Sequence, residues 1–185
     1  MKIMFISDIH GMHQTLKQAL DHADRLSVDQ IVILGDILYH GPRNGVPSVY
    51  DPAAVADMLN ERKDQILAVR GNCDAEVDQM MLKFPIMADY SELICGNNRF
   101  FLTHGHLWNE NHLPDLPAGT ILAHGHTHIP ELKMRFQDKI WIFNPGSISL
   151  PKNGNIRTFG LFHDGKLTVN DLESGNFTGG FHNEF

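Results

Sequence analysis

The chain has 185 residues, of which 42% are hydrophobic and 20% are charged, and its formal net charge is −7. This composition fits one folded domain and excludes a disordered chain. The acidic balance disfavours proteins that wrap long nucleic acid, and it offers little attraction to anionic lipid. No apolar run approaches the ~20 residues of a membrane helix. With only two cysteines and an opening that reads as a strand rather than a signal peptide, we expect a cytoplasmic protein.

The first half of the sequence alternates strand and helix signals. Apolar runs predict strands over 2–7, 31–34 and 66–69, and helical periodicity predicts helices over 15–26 and 52–62. The stretch 35–51 carries glycines and prolines in its middle and is predicted to be a loop. Strands that alternate with helices indicate a parallel sheet with helices packed on it.

The second half is predicted to be a series of antiparallel strands joined by tight turns. Turn signals at Asn97-Asn98, Gln137-Asp138 and Asp164-Gly165 separate pairs of apolar runs, and a further short strand covers 121–123. Two sheets packed face to face, with helices outside, would bury all of these strands. The sequence therefore predicts an α/β fold, a four-layer α/β/β/α sandwich of two facing mixed sheets flanked by helices.

Polar clusters follow five of the apolar runs at their C-terminal ends. They are Ser7-Asp8-Ile9-His10-Gly11, Gly35-Asp36, Gly71-Asn72-Cys73-Asp74, Thr103-His104-Gly105-His106 and Gly125-His126-Thr127-His128. Taken singly, each cluster has an ordinary alternative as a helix cap, a turn or a pair of surface imidazoles. Taken together, they predict a metal site, because ligands bind at the carboxyl ends of strands in α/β sheets.

The candidate metal ligands are Asp8, His10, Asp36, Asn72, His104, His126 and His128. Oxygen and imidazole ligands without thiolate suit Mn²⁺, Fe²⁺, Zn²⁺ or Mg²⁺, and we expect Mn²⁺ to support activity. Seven ligands exceed the four of a tetrahedral zinc site and suit two metals that share a carboxylate. Two such cations, roughly 3.5–4 Å apart, bind the attacking and leaving oxygens in phosphoryl transfer.

The five clusters resemble the signature of the calcineurin-like metallophosphoesterase superfamily. The segments Gly41-Pro42-Arg43-Asn44 and Asn144-Pro145-Gly146-Ser147 resemble its small, single-domain YfcE-type phosphodiesterases. The resemblance runs from about residue 2 to about residue 172. It implies one metallophosphoesterase domain over residues 1–172, followed by a C-terminal tail over residues 173–185.

The resemblance also implies roles for the ligands. One metal would be held by Asp8, His10, Asp36 and His128, and a second by Asp36, Asn72, His104 and His126. The implied enzyme is a metal-dependent phosphoric diester hydrolase, in which a hydroxide bound to both metals attacks the phosphorus of a small phosphodiester in line. Asp36 and Asn72 would then belong to the catalytic machinery as well as to the metal site.

Cys73 occupies a position where the wider superfamily usually has a histidine, and a cysteine there is itself typical of the YfcE-type branch. A thiol cannot replace an imidazole in helping the leaving group, so His106 is the candidate for that function and His40 a weaker one. The thiol itself is either a packing residue or an extra metal ligand. Arg43 is either a contact to phosphate oxygens or a solvated loop arginine.

Other functions stay open from the sequence. A phosphomonoesterase or nucleotide phosphatase would share every ligand. A non-catalytic scaffold, like the retromer subunit of this fold, is disfavoured because all seven ligand positions are filled. A nuclease acting on long nucleic acid is disfavoured by the negative charge. The tail, with Phe177, Phe181 and Phe185, is either a loosely ordered end or an arm that docks on a second copy and forms a homo-oligomer.

Overall fold

The computed structural model describes the backbone of residues 1–184 and the side chains of residues 1–178. Its strands are β1 (Lys2–Ile6), β2 (Gln30–Ile33), β3 (Ile66–Ala68), β4 (Tyr90–Cys95), β5 (Asn98–Thr103), β6 (Ile121–Ala123), β7 (Glu131–Arg135), β8 (Ile140–Asn144), β9 (Thr158–His163), β10 (Lys166–Asp171) and β11 (Phe177–Glu184). Its helices are α1 (His13–Leu26), α2 (Pro52–Asn60) and α3 (Glu76–Met81), with a 3₁₀ turn over Lys63–Gln65.

The strands form two mixed sheets. The first sheet has the order β11-β10-β9-β1-β2-β3, in which β1, β2 and β3 run parallel and the others pair antiparallel. The second has the order β4-β5-β6-β8-β7, in which β5, β6 and β8 run parallel between two antiparallel edge strands. The predicted α/β sandwich of two facing mixed sheets is confirmed.

The connections of the second half differ from the predicted antiparallel series. The Asp164-Gly165 turn is as predicted, with positive φ at both residues (51° and 77°). The first hairpin turns one residue earlier than predicted, at Gly96-Asn97, because Gly96 adopts a left-handed φ of 60°. The second hairpin uses a four-residue turn over 136–139. The strands β5 and β6 are parallel because the long segment 104–120 carries the chain back to the other end of the sheet.

Helices α1 and α2 cover the outer face of the first sheet, as predicted from their apolar periodicity. Leu16 and Leu20 of α1 belong to the same buried cluster as Met4 and Ile6 of β1. The first turn of α2 is capped by Asp51, whose side chain accepts a hydrogen bond from the Ala54 N–H at 2.9 Å. Helix α3 was not predicted, because its six residues are too short for a periodic signal.

The outer face of the second sheet is covered by the irregular segment 104–120 rather than by a helix. Trp108, Leu113 and Leu116 of this segment pack on a buried cluster that includes Phe101. Prolines at positions 114 and 117 disfavour a helix there. Within the part of the chain that the structure describes, the predicted fourth layer is therefore not helical.

An apolar layer between the two sheets fixes their relative position. The Phe5 ring of the first sheet lies 5.3 Å from each of the rings of Phe100 and Phe143 in the second. A Cβ at Gly160 would overlap the Phe143 ring, so the close approach of the sheets needs a glycine. Burying each aromatic side chain contributes about 2–3 kcal/mol. This packing places the carboxyl ends of β1, β2 and β3 beside those of β5 and β6.

The tail returns to its own domain. Strand β11 pairs antiparallel with β10, with Asn170 opposite Phe177 and Lys166 opposite Glu184, and so adds a sixth strand to the first sheet. Phe177 is exposed at the start of this strand. The side chain of Phe181 and all of Phe185 lie outside the described part of the chain. The domain boundary at residue 172 and the docking on a second copy stay predictions.

None of the described helices combines the length and the apolar character that crossing a membrane requires. The longest, α1, has 14 residues and carries charged side chains.

Candidate metal centre

The loops that carry the predicted ligands meet at one edge of the sandwich and are tied together by their backbones. The N–H of Asp8 donates to the carbonyl of Gly35 at 3.2 Å, and the N–H of His10 donates to the carbonyl of Asp36 at 2.9 Å. The N–H of Gly125 donates to the carbonyl of His104 at 2.8 Å. These bonds join the loop after β1 to the loop after β2, and the loop after β5 to the loop after β6. The His126 N–H, which donates to Asp8 Oδ2 at 3.1 Å, links the two pairs.

Five of the seven predicted ligands have left-handed backbone conformations. Their φ angles are 55° at Asp8, 51° at His10, 56° at Asp36, 66° at His126 and 60° at His128. Non-glycine residues adopt this conformation at a cost of roughly 1–3 kcal/mol each, and they persist only where the surrounding structure holds them. Such strain concentrated at one edge of the fold indicates that the side chains are held for a function.

Two glycines allow the loops to approach closely. A Cβ at Gly71 would overlap the Asp36 carboxylate, and a Cβ at Gly125 would overlap the Ser7 hydroxyl. Any side chain at either position would push apart the loops that carry the candidate ligands.

Asp8, His10 and His128 form what we call the first half-site, and all three are buried. The Nε2 of His128 lies 3.3 Å from Asp8 Oδ1 and 3.4 Å from the Nε2 of His10. The other oxygen of Asp8 accepts hydrogen bonds from the Ser7 hydroxyl (2.8 Å) and the His126 N–H (3.1 Å). Asp8 Oδ1 is buried without a hydrogen-bond partner in the described structure. A cation between these groups would satisfy that oxygen.

Asn72, His104 and His126 form the second half-site. The Nε2 of His104 lies 3.1 Å from Asn72 Oδ1 and 3.4 Å from Asp36 Oδ2. The His126 ring lies 5.1 Å from the His104 ring, centroid to centroid. In the described part of the chain, the ligand atoms of Asp8, Asp36 and His104 all lie within 4.8 Å of one another. None of the groups that meet this distance includes His126.

Asp36 stands between the two half-sites. Its Oδ2 lies 3.7 Å from the Nε2 of His10 on one side and 3.4 Å from the Nε2 of His104 on the other. Its Oδ1 accepts the Cys73 N–H at 2.8 Å. The backbone thus orients the carboxylate through Oδ1, and Oδ2 faces both half-sites.

Three of the histidines are oriented by main-chain carbonyls of distant residues. The Nδ1 atoms of His10, His104 and His128 lie 2.8, 2.6 and 2.6 Å from the carbonyls of Tyr39, Leu34 and Leu150. A neutral ring that donates its Nδ1–H keeps a lone pair on Nε2, and all three Nε2 atoms face the centre. This outer hydrogen bond is the usual arrangement of metal-binding histidines. The donor set therefore fits divalent cations.

Asp36 and His104 perturb each other strongly. Burial alone would favour the neutral carboxyl of Asp36, but the hydrogen bond and charge of His104 outweigh it and hold the pKa of Asp36 well below its usual range. Burial likewise disfavours a charged His104, but Asp36 and Asp8 outweigh it and raise the pKa of His104 to about 9. In the metal-free chain, a proton on His104 balances part of the carboxylate charge.

Asp74 connects the loops that follow β2 and β3. Its buried carboxylate accepts the N–H groups of Asp36 (2.9 Å), Ile37 (2.8 Å) and Gly71 (2.7 Å). Burial raises the pKa of Asp74 in spite of these donors. Because the neighbouring residue is Cys73 and not a histidine, the Asp74 carboxylate accepts hydrogen bonds from backbone N–H groups rather than from an imidazole.

The Cys73 thiol is half-buried near Asp36 and stays uncharged. Burial and the charges of Asp36 and Asp74 raise the pKa of Cys73 to about 12. Its sulfur forms one of the close groups of ligand atoms with Asp36 and His10. Both interpretations from the sequence, packing residue and extra ligand, are compatible with this position.

A cavity of about 500 Å³ opens above the half-sites. Arg43, a candidate for contact with phosphate oxygens, lines it together with Lys152. The described wall of this cavity does not include His106 or His40. The His106 ring lies 5.5 Å from the His104 ring and 6.3 Å from the His126 ring, and burial lowers its pKa.

Three residues that shape this centre were not predicted from the sequence. They are Ser7, Lys152 and Asp74, whose carboxylate accepts backbone N–H groups. The Ser7-Asp8 adjacency was a usable signal, since a hydroxyl next to a ligating carboxylate can orient it. Lys152 lies in no motif, and only the fold brings it to the cavity wall.

Residues 1–165 match the calcineurin-like phosphoesterase superfamily domain. The chain belongs to this superfamily. It is 47% identical to phosphodiesterase YfcE of Escherichia coli over 169 residues, which is 91% of each chain. The solved structure of YfcE, a phosphoesterase from E. coli, superposes with a TM-score of 0.93 and 44% identity, covering 96% of this chain and 97% of that one.

These similarities confirm the prediction of a metal-dependent phosphodiesterase, a phosphoric diester hydrolase of the calcineurin-like superfamily. Membership of this superfamily also implies divalent metals, in agreement with the cluster of aspartate and histidine ligands. A single mutant of Vps29 from Entamoeba histolytica superposes with a TM-score of 0.56 at 22% identity, covering 91% of this chain and 90% of that one. That likeness shows the shared fold alone.

Proposed function

We propose that the chain hydrolyses small phosphodiesters in the cavity above the half-sites, with one divalent cation in each half-site. The observation that carries this proposal is the position of Asp36, whose Oδ2 faces His10 at 3.7 Å and His104 at 3.4 Å. A carboxylate with an imidazole Nε2 on each side has the arrangement of a shared ligand. The unpartnered oxygen of Asp8 supports the fit of a cation in the first half-site.

The proposed ligand sets follow the two half-sites. Asp8, His10, Asp36 and His128 hold one cation, and Asp36, Asn72, His104 and His126 hold the other. When bound, the pair of cations supplies acidification of water and neutralisation of charge on the phosphoryl oxygens. Mn²⁺ is the cation that we expect to support activity, with Fe²⁺, Zn²⁺ and Mg²⁺ as alternatives, because the donors are oxygens and imidazoles.

Side chains of the cavity wall bind and orient the substrate. Arg43 and Lys152 are cations that can donate hydrogen bonds to phosphate oxygens, and Arg43 can do so with two N–H groups. Cys73, with a pKa of about 12, adds no negative charge beside the phosphate but is poorly matched as a proton donor near neutral pH. Diesters with good leaving groups need little protonation of the leaving group, so their hydrolysis is the least affected by the lack of a proton donor at Cys73.

His106 was predicted to help the leaving group, but its position supports a different role. Its ring lies 5.5 Å from the ring of His104 and 6.3 Å from that of His126, and it is not among the described side chains that line the cavity. We propose that His106 supports these two ligands by packing.

The size and charge of the cavity suggest the substrate class. A volume of about 500 Å³ suits a small phosphoester, and the net charge of −7 disfavours long nucleic acid. A phosphomonoester carries one more negative charge than a diester, and the pair Arg43 and Lys152 favours it as the second candidate.

A panel of substrates tests the proposal. With Mn²⁺, bis(4-nitrophenyl) phosphate should be hydrolysed faster than 4-nitrophenyl phosphate, and excess chelator should abolish both reactions. His163→Ala, which changes an exposed histidine outside the metal centre, is the matched control and should behave like the wild type. Undiminished turnover in chelator after dialysis would contradict the metal dependence, and a preference for the monoester would favour the second candidate.

We also propose a cytoplasmic location and a homo-oligomer. Both Cys73 and Cys95 are free thiols, which is typical of reducing compartments. The exposed Phe177 at the edge strand β11 offers apolar surface to a second copy. Light scattering of the chain shortened to end at Leu172 tests the second point, since an unchanged mass would remove the tail from any interface.

A further inference from the structure

A second cavity of about 390 Å³ adjoins the metal cavity. The two cavities share Pro42, Asn72 and Cys73 in their walls, so a molecule bound at the metal centre can extend from one into the other. None of the roles assigned above uses this second cavity.

The walls of the second cavity are mainly apolar. Tyr39 and Val77 line it and remain 39% and 62% exposed, although both have side chains that gain from burial. Ala75 adds a further apolar wall, and the shared Pro42 presents a flat ring face. An aromatic group inserted here would cover the exposed surfaces of Tyr39 and Val77.

The two cavities differ in their charged groups. The metal cavity has Arg43 and Lys152 in its wall beside Asp36, whereas the described wall of the second cavity has no basic side chain. Its charged wall residue is Asp78, whose buried carboxylate accepts the Ala75 N–H at 2.8 Å. An anionic substituent would meet this carboxylate without a compensating cation, so the second cavity favours an uncharged group.

The second cavity is also held in a fixed position relative to the metal ligands. The carbonyl of Tyr39 lies 2.8 Å from His10 Nδ1, and the N–H of Cys73 donates to Asp36 Oδ1 at 2.8 Å. One wall residue is therefore anchored to a ligand of the first half-site, and another to the shared carboxylate. A substituent in this cavity would orient the attached phosphate above the metal centre.

We infer that the second cavity is a binding subsite for an uncharged aromatic substituent of the substrate, whose phosphate group lies in the metal cavity. This inference rests on the proposed function and narrows its substrate class to aryl phosphoesters and similar apolar esters. Val77 and Tyr39 determine the preference for the aromatic group.

Direct binding of two phosphonates tests the subsite without catalysis. Phenylphosphonate and methylphosphonate carry the same charged group and differ in the single substituent. Calorimetric titration of the Mn²⁺-loaded full chain should give a dissociation constant about ten- to a hundredfold lower for phenylphosphonate, as expected for burial of one ring. Val77→Asn should reduce this ratio and leave the binding of methylphosphonate unchanged. Tyr39→Ala keeps the backbone carbonyl that lies beside His10 and should also reduce the ratio.

Met80→Asn is the matched control, because Met80 lies on the same helix as Val77, is 86% exposed and does not line the cavity. It should keep the wild-type ratio. Equal affinities of the two phosphonates, with hydrolysis of methyl 4-nitrophenyl phosphate intact, would overturn the subsite alone. A wild-type ratio of the two dissociation constants in both Val77→Asn and Tyr39→Ala would also overturn the subsite alone. Loss of phosphonate binding together with absence of diester hydrolysis would overturn the proposed function as well.

Discussion

The two half-sites differ in how far the fold encloses them. In the first, Asp8, His10 and His128 are 0%, 2% and 4% exposed, whereas in the second only His104 is fully buried. Asn72 is exposed and His126 is half-buried. An enclosed set of ligands holds a cation in fixed geometry, and an open set leaves coordination positions to water and substrate. The comparison indicates that the fold encloses the ligands of the first half-site and leaves those of the second accessible to solvent.

The largest expected effect comes from Asp36, which lies between the two half-sites and which we propose as their shared ligand. Asp36→Asn should lower kcat/KM for bis(4-nitrophenyl) phosphate by more than the ~10–100-fold that loss of an outer partner costs, because it removes a charge from both positions. The number of bound Mn²⁺ ions, measured by elemental analysis after dialysis, should fall from about two per chain. Wild-type stoichiometry in the variant would show that Asp36 is not shared.

The second prediction separates the half-sites. Titration of the metal-free chain with Mn²⁺ should show a tight step and a weaker step, differing by roughly tenfold or more in affinity. His128→Ala should remove the tight step and His126→Ala the weak one, since these residues belong to the enclosed and open positions. His163→Ala is the control and should keep both steps. Loss of the same step in both ligand variants would contradict the comparison.

The third prediction concerns Asp74, which holds the loops of Asp36 and Gly71. Asp74→Asn should lower the free energy of unfolding by about 1–3 kcal/mol, because an amide can accept fewer of the three buried N–H groups. It should also weaken Mn²⁺ binding by about 10–100-fold through misplacement of Asp36. Denaturant unfolding and metal titration measure the two effects. A change in stability with normal metal affinity would limit Asp74 to a structural role.

The smallest effect is a proton released by metal binding. The pKa of His104 is raised to about 9, so the ring is protonated in the metal-free chain near neutral pH. A ligating imidazole must be neutral, and binding at about pH 7.5 should therefore release about one proton from His104. The release should vanish as the pH rises through about 9. Calorimetry in buffers of different ionisation enthalpy counts the protons, and a release that does not depend on pH would exclude His104 as the source.

The local patterns of the sequence determined much of the site. Short apolar runs followed by glycine and polar residues indicated β1, β2, β3, β5 and β6, because the strand period and the turn chemistry act over a few residues. The spacing of Asp8 and His10, or of His126 and His128, was visible for the same reason. The resemblance to the superfamily then implied the ligand sets and the reaction.

Only the tertiary structure decided how these pieces meet. The carbonyls that orient the histidines belong to Tyr39, Leu34 and Leu150, up to 70 positions away from the rings that they orient. Lys152 reaches the cavity and His106 does not, and the tail becomes β11 instead of a loose end. Such contacts depend on which strands pair and on the apolar layer between the sheets. That long-range packing leaves no periodic trace in the sequence.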